Sequence, residues 1–274
     1  MRIKSISRLP VVLLSLMAAA CAAEGPTLST SSGPFASAQV GPSEKVGANL
    51  SPEEVAASGP AVPMNPFADV TAQTGGGREV IADPTIVDIL APTGLPEMSF
   101  GRADAPVTVV QYASLTCPYC KRFHADVYPT LKRDYIDTGK VRYILRDFPI
   151  GRTSGQASVA LRCAKPEKYL ELYARFLNDQ PSWVSQDVRV EAIAAVALKS
   201  GLSDADFEAC RQNVALIEGL KSMKDRGRKL GIIGTPNFFI QDKRVKKALD
   251  MNELRAMIDP LIAARTASVS PAAP

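Results

Sequence analysis

The central part of the chain alternates between short apolar runs and helix-like repeats. Val107–Ala113 is almost continuously apolar, which predicts a buried strand. Apolar residues then recur at helical spacing from about residue 118 to residue 137, and Gly139 predicts the helix end. Val141–Phe148 predicts a second strand. A strand, a helix and a strand in this order predict a parallel pair joined by a right-handed crossover.

The following part of the chain, from about residue 150 to residue 230, is helical in its periodicity. Ser203, with Asp206 three residues later, predicts one helix start within it. Beyond it, Asn237–Gln241 predicts another strand, and Asp250 predicts the cap of a last helix. We expect a disordered tail over residues 266–274.

Composition and charge narrow the class of protein. The chain has 274 residues, 46% of them hydrophobic and 22% charged, which is ordinary for a soluble globular protein of one or two domains. The formal net charge is only +4. Nothing in this balance indicates a nucleic-acid partner or a polybasic membrane surface.

The first residues have the pattern of an export signal. Arg2, Lys4 and Arg8 precede a short apolar run, Leu9–Ala20, that ends in small residues. This run is too short to span a bilayer comfortably. We therefore predict a signal peptide over residues 1–21, and export would permit disulfide bonds.

Between the signal and the first strand, the chain changes in character. Residues 22–78 are rich in Pro, Gly, Ser and Ala and lack a sustained period, which predicts a disordered linker. Residues 79–97 are an ambiguous lead-in segment in which a short helix is expected. The folded domain is predicted over residues 98–265.

A Cys-x-x-Cys motif, Cys117-Pro118-Tyr119-Cys120, lies where the first strand passes into a helix. Unpaired N–H groups and the helix dipole at this end favour a thiolate, so the pKa of Cys117 is expected to be low. Cys120 lies on the same helical face, so the two sulfurs can form a disulfide. We assign Cys117 as the exposed nucleophile and Cys120 as the more buried resolving thiol. The alternative is half of a zinc site, but no second half-site has the matching spacing.

A second stretch, Gly234-Thr235-Pro236, precedes the aromatic strand at residue 237. Proline is tolerated at the first residue of a strand, so the ordinary interpretation is a loop proline. Its combination with the Cys-Pro-Tyr-Cys motif favours a functional interpretation instead.

Four segments together resemble the exported DsbA/DsbG-like thiol:disulfide oxidoreductases of the thioredoxin superfamily. The similarity extends over roughly residues 98–265, and the segments are Gln111–His124, Asp137–Tyr143, Arg146–Pro149 and Gly231–Ile240.

This resemblance implies an α/β thioredoxin fold, with a helical insertion at about residues 150–230 between the second strand and the cis-Pro strand. It implies that Pro236 is cis, that Thr235 touches the sulfurs, and that Pro118 and Tyr119 tune the site or bind substrate. One position departs from the family: an acidic residue often stands six positions before the first Cys, where this chain has Gln111.

Three further cysteines lie outside the motif. Cys163 and Cys210 remain as a candidate pair, and proteins similar to this one often carry a second disulfide in the helical part. Cys21 is then the odd cysteine. It follows Met17–Ala20 in a run that resembles a bacterial lipobox, which predicts lipidation of Cys21, although Ala18 stands where Leu is usual. The alternative is ordinary signal cleavage after a small residue such as Ala20.

The expected function is thiol:disulfide exchange on exported proteins in the periplasm or cell envelope, most readily in the oxidising direction. The resemblance implies recycling by a DsbB-like membrane partner, and we expect neither a cofactor nor a metal. One alternative is an isomerase or reductase kept reduced by a DsbD-like partner. Thr235 favours this alternative, because Thr before the cis-proline also occurs in isomerase-type relatives. Against an isomerase, no folded N-terminal dimerisation domain is predicted. Another is a non-catalytic protein that binds copper(I) or zinc through Cys117 and Cys120.

His124 is the single histidine and lies one turn beyond Cys120. Packing or capping is the more common role of a histidine at such a position. A proton shuttle is the alternative, because His titrates near neutrality.

Overall fold

A computed structural model describes residues 79–269. The predicted signal peptide, Cys21, the linker and residues 270–274 lie outside this range. The described strands are β1 (Met98–Phe100), β2 (Val107–Ala113), β3 (Val141–Asp147), β4 (Asn237–Ile240) and β5 (Lys243–Val245). The described α-helices are α1 (Ile86–Leu90), α2 (Pro118–Asp126), α3 (Tyr128–Leu131), α4 (Gly151–Arg162), α5 (Tyr169–Asn178), α6 (Gln180–Trp183), α7 (Val190–Leu198), α8 (Asp204–Arg211), α9 (Val214–Lys229) and α10 (Met251–Val269).

The five strands form one mixed sheet in the order β1-β3-β2-β4-β5. β2 and β3 are parallel, with Val109 opposite Tyr143, as the strand–helix–strand pattern predicts. The other three pairs are antiparallel, and Gln111 of β2 lies opposite Phe238 of β4. β2 is therefore the central strand, and its carboxyl end leads directly into the Cys-Pro-Tyr-Cys motif.

Apolar side chains pack on both faces of the sheet, which explains why β2 is apolar at almost every position. On one face, Val107 and Val109 join a large core that includes Phe123 of α2 and Phe238 of β4. The opposite face, with Val110, packs in a smaller core near α1 and the end of α9.

The helices α4 to α9 lie between β3 and β4 in the chain. The predicted helical insertion is thus confirmed, and with it the α/β thioredoxin fold. Ser203 caps α8 by accepting a hydrogen bond from the Asp206 N–H at 3.1 Å, as predicted. Trp183, at the end of α6, is fully buried in the large core.

The helix predicted over about residues 118–137 is interrupted. α2 ends at Asp126, α3 begins at Tyr128, and a π-helical turn occupies Lys132–Ile136. Pro129 explains the break, because it lacks the N–H of a helix interior and its ring crowds the preceding turn.

The final helix is longer than predicted. Thr266–Val269 belong to α10 rather than to a disordered tail, and the Thr266 hydroxyl donates to the Ile262 carbonyl at 2.9 Å. Nothing in these four residues breaks a helix, and the next proline in the sequence is Pro271.

The lead-in segment forms the expected short helix, α1, capped by Thr85. It packs on the sheet through Ile89, whose carbonyl accepts a hydrogen bond of 2.6 Å from the buried Arg146 side chain. The edge strand β1 was not predicted, because a run of three residues is too short to show a strand period.

Candidate active site

The Cys-Pro-Tyr-Cys motif forms the first turn of α2. Cys117 is the N-cap residue in an extended conformation, and its sulfur accepts a hydrogen bond from the Cys120 N–H at 3.4 Å. Pro118 occupies the first helical position, where no N–H is needed. The Cys117 sulfur therefore lies at the end of the helix where donors point outward and an anion is favoured.

The loop before β4 faces this turn. The Thr235–Pro236 peptide bond is cis, as the resemblance implies. The Cys117 thiol donates to the Thr235 carbonyl at 3.2 Å, across 118 residues of sequence. The fold thus brings together the two motifs that the sequence analysis singled out.

Burial distinguishes the two cysteines less sharply than predicted. Cys120 is fully buried, whereas Cys117, which we predicted to be exposed, keeps only 8% of its surface accessible. The helix turn on one side and the Thr235 carbonyl on the other explain this small exposure. Of the two cysteines in the motif, Cys117 is the one that an incoming thiol can approach without rearrangement.

The environment separates the acidities of the two thiols. The pKa of Cys117 is lowered to about 6, first by a hydrogen bond from the Cys120 thiol, and then by the Thr235 hydroxyl and backbone N–H groups, against the opposing effect of burial. The pKa of Cys120 is raised well above its usual value, chiefly by burial. At neutral pH the reduced site therefore holds one thiolate, on Cys117, and one thiol, on Cys120.

Large apolar side chains are exposed around Cys117. Tyr119 is 53% exposed, with the Arg122 guanidinium 5.6 Å from its ring centre. Ile233, two residues before Thr235, is 90% exposed, and Ile150, whose N–H donates to Ser114 at 3.4 Å, is 42% exposed. These exposed apolar side chains lie in the motif itself or in segments that contact the motif or the strand end before it.

Beneath the motif, Gln111 is buried and its side-chain oxygen accepts a hydrogen bond from the Tyr143 hydroxyl. Its side-chain nitrogen has no hydrogen-bond partner among the described residues. Burial raises the pKa of Tyr143 well above its usual value. The position that is often acidic in the family is therefore occupied here by a neutral pair.

His124 is packed rather than poised for proton transfer. Its ring stacks on Tyr128 at 4.9 Å between centres and meets the edge of Tyr173 at 5.2 Å. Burial lowers the pKa of His124 to about 4, so the ring is neutral across the physiological range. This arrangement agrees with the packing role and leaves no titration near neutrality for a shuttle.

Away from the motif, Cys163 and Cys210 form a disulfide, with their Cα atoms 6.1 Å apart, which confirms the candidate pair. Cys163 is the C-cap of α4 and Cys210 lies in the last turn of α8. The bond therefore joins two helices of the insertion.

Among residues 79–269, no helix combines the length and the apolar character needed to cross a bilayer. The same residues bring together no group of three or more His, Cys, Asp and Glu side chains suited to a metal ion.

Two residues of the insertion that contact the motif or the residues just before it were not predicted. The Ser154 hydroxyl lies 2.7 Å from the Ser114 hydroxyl, and the Gln180 side chain donates to the Leu115 and Cys117 carbonyls. These contacts join residues 40 to 65 positions apart. Local periodicity carries no signal for contacts at such a separation.

Comparison with known proteins agrees with this geometry. A Rickettsia bellii protein, whose name describes it provisionally as a protein-disulfide oxidoreductase, is 28% identical over 168 residues, covering 61% of this chain and 64% of that protein. Disulfide bond formation protein D of Bacillus subtilis is 25% identical over 166 residues, covering 58% of this chain and 74% of that protein. The matched region spans about half to two thirds of the length of the Rickettsia relatives.

Among solved structures, Wolbachia pipientis alpha-DsbA1 superposes with a TM-score of 0.62 and 29% identity, over 68% of this chain and all of that one. BdbD from Bacillus subtilis, at 23% identity and a TM-score of 0.55, shares the fold. The resemblance to DsbA-like proteins is thereby confirmed. A family model described as thioredoxin matches residues 93–260, a span that contains both the Cys-Pro-Tyr-Cys turn and the cis-Pro loop, and the chain belongs to that thioredoxin family.

Proposed function

We propose that this chain is a thiol:disulfide oxidoreductase that transfers its Cys117–Cys120 disulfide to exported proteins. The observation that carries the proposal is the position of the Cys117 sulfur, at the N-terminus of α2 and 3.2 Å from the Thr235 carbonyl before the cis-proline. The names of the relatives from Rickettsia and Bacillus agree with this activity.

The reaction proceeds in two exchange steps. A substrate thiolate attacks the Cys117 sulfur of the oxidised enzyme, the Cys117–Cys120 bond breaks, and Cys120 leaves as a thiolate that takes up a proton. The substrate's second thiolate then attacks the substrate sulfur of the mixed disulfide, and Cys117 leaves. The substrate loses two electrons and the enzyme gains them. The low pKa of Cys117 makes it a good leaving group in the second step.

The surface around Cys117 fits an unfolded polypeptide. The exposed side chains of Tyr119, Ile150 and Ile233 offer apolar contacts. The backbone at Thr235 and Pro236 can pair with an extended segment as an added strand, which depends little on the side chains of that segment. The expected substrates are therefore cysteine-containing exported proteins with little sequence in common.

The stabilised thiolate supports the oxidising direction. A group that stabilises the reduced form makes the disulfide a stronger oxidant, and the pKa of Cys117 is about 6 in the reduced site. We infer a place in the periplasm or cell envelope, with a signal peptide over residues 1–21, lipidation at Cys21, and reoxidation by a DsbB-like membrane partner.

Trapping of the mixed disulfide tests the activity. Cys120→Ser leaves Cys117 able to attack a substrate disulfide but removes the thiol that resolves the adduct. We expect disulfide-linked adducts with exported proteins that reductant releases, and none from a Cys117→Ser/Cys120→Ser control. A lack of adducts, together with stoichiometric copper(I) or zinc on the wild-type thiols, would replace this function by metal binding.

Equilibration with glutathione buffers tests the direction. A reduction potential above about −180 mV identifies a disulfide donor, whereas a value below about −230 mV identifies a reductase supplied by a DsbD-like partner. The adducts test the chemistry and the potential tests its direction, so the two results fail independently.

A further inference from the structure

The junction between α5 and α6, far from the motif in sequence, lies against the turn that carries Cys117. The Gln180 side-chain nitrogen donates to the Leu115 carbonyl at 2.8 Å and to the Cys117 carbonyl at 3.2 Å. On the same side, the Lys121 ammonium donates to the Asn178 carbonyl at 3.1 Å. The insertion thus contacts the residues before and after the nucleophile.

The two bonds from Gln180 match the chemistry of its carboxamide. The amide nitrogen carries two hydrogens, and each of the two carbonyls can take one of them. The Leu115 and Cys117 residues are buried, so their carbonyls have little access to water as an alternative donor. A side chain without donors at position 180 would remove this partner from the Leu115 carbonyl and one of the partners of the Cys117 carbonyl.

The Cys117 carbonyl belongs to the peptide group that directly follows the nucleophile. The Cys117 carbonyl also accepts the Lys121 N–H at 3.1 Å, which is the first hydrogen bond of α2. Gln180 therefore holds the peptide group at which the turn becomes a helix. The orientation of that group is tied to the backbone conformation of Cys117, whose sulfur accepts a hydrogen bond from the Cys120 N–H.

Gln180 is itself held in place by the core. It begins α6, which ends at the fully buried Trp183. The Trp183 indole N–H donates to the Phe176 carbonyl at 2.8 Å, and its ring meets the edge of the Phe176 ring at 5.3 Å between centres. The donor is thus mounted on a packed element rather than on a loop.

From these contacts we propose that Gln180 is a positioning residue for the nucleophile, by which the helical insertion holds Cys117 in the geometry that stabilises its thiolate. The inference rests on the proposed function for its consequence, namely the speed of exchange. Its direct effect, on the state of the Cys117 thiol, can be measured without any substrate protein.

The test compares three variants of the full chain in the reduced form. Gln180→Met keeps the length of the side chain and removes both donors, and Gln180→Glu keeps the shape but adds a carboxylate beside the two carbonyls. Gln212→Met is the matched control, because the Gln212 amide is on the exposed side of the insertion and donates to Glu208 at 3.0 Å. Circular dichroism and urea unfolding check that each variant is folded.

The readout is the rate at which iodoacetamide alkylates Cys117 as a function of pH, with the modified residue identified by mass spectrometry. The wild type is expected to titrate near its pKa of about 6, and Cys120 is the titratable group that acts on this thiol. Gln180→Met should raise the apparent pKa by roughly half to one unit, which lowers the alkylation rate at pH 5.5 about three- to eightfold because the thiolate fraction falls.

Gln180→Glu should raise the apparent pKa further, because a negative charge disfavours a nearby thiolate. Gln212→Met should follow the wild-type profile. Profiles of folded Gln180→Met and Gln180→Glu that coincide with the wild type would overturn the proposal, and one folded variant of the two is enough to decide. Disulfide exchange by the wild type is assayed in parallel. Its absence would reject the proposed function, whereas unchanged profiles with active wild type would reject only the role of Gln180.

Discussion

Two pairs of cysteines in this chain lie at opposite ends of their helices. Cys117 caps the N-terminus of α2. Cys163 caps the C-terminus of α4, and Cys210 lies in the last turn of α8. Helix N-termini favour anions and C-termini disfavour them, so a thiolate is stabilised at Cys117 in the first pair and thiolates are disfavoured in the second.

The two helix ends explain why a disulfide can be reactive at one place in the molecule and structural at another. Stabilising the thiolate of Cys117 stabilises the dithiol form. This raises the reduction potential of the Cys117–Cys120 disulfide and favours its transfer to another dithiol. Cys163 and Cys210, where thiolates are disfavoured, are expected to remain bonded, and their bond closes a long loop of the insertion. The comparison therefore separates a reactive pair from a cross-link on physical grounds.

Replacing the nucleophile of the reactive pair should change the exchange rate more than any other substitution considered. Cys117→Ser removes the attacking sulfur, and we expect dithiol oxidation of a model peptide to fall at least about 1,000-fold, to the uncatalysed level. Cys163→Ser/Cys210→Ser should keep the rate within about twofold at a temperature where it is folded, because neither sulfur lies at the site. A comparable loss in the double variant would assign a redox role to the second pair.

The next effect concerns stability. The Cys163–Cys210 bond spans a sequence separation of 47. The chain-entropy model predicts that its removal lowers the free energy of unfolding by about 4 kcal/mol, by releasing the unfolded chain. Urea unfolding of Cys163→Ser/Cys210→Ser against the wild type measures this difference.

The matched control is Cys117→Ser/Cys120→Ser, which also replaces two cysteines but closes a much shorter loop. We expect this variant to lose clearly less stability than the other double variant, because the loop-closure term shrinks with loop length. A loss of stability as large as that of the other double variant would contradict the distinction between the two pairs.

Much of the site could be predicted, because it is built from short sequence motifs that are informative alone or in combination. The apolar run of β2 and the Cys-Pro-Tyr-Cys turn predicted the position of Cys117 at a helix N-terminus, and the resemblance implied the cis bond before Pro236. The link between Cys163 and Cys210 was also expected and is present.

What was missed depends on tertiary contacts or on short elements. Gln180 meets Leu115 across 65 residues, and an ordinary glutamine beside a proline carries no signal of that contact. The small exposure of Cys117 follows from the Thr235 loop folding over it, which local spacing does not report. Pro129 by itself indicates a helix break. Apolar residues continue at helical spacing beyond it, so a single helix was predicted over this region.

The smallest effect is a dependence of stability on pH that only the reactive pair produces. In the reduced protein the pKa of Cys117 is about 6, below the value of 9.0 for a free thiol. The unfolded chain therefore binds more protons than the native one between these values, and the free energy of unfolding rises with pH, by at most about 1.4 kcal/mol per pH unit. The contribution is complete above the unfolded pKa and is lost as the pH falls through about 6.

The oxidised protein lacks this term, because disulfide sulfurs do not titrate. His124, whose pKa is lowered to about 4, is present in both forms and cancels in their difference. The raised pKa of Cys120 acts in the opposite direction only at higher pH, so a window from pH 6 to pH 8 isolates Cys117. Urea unfolding of the reduced and oxidised forms across pH 5 to 8 should give a difference that is flat below about pH 5.5 and then rises in favour of the reduced form. A difference independent of pH would mean that the helix N-terminus and the Thr235 loop do not stabilise the thiolate, and the contrast between the two pairs would lose its cause.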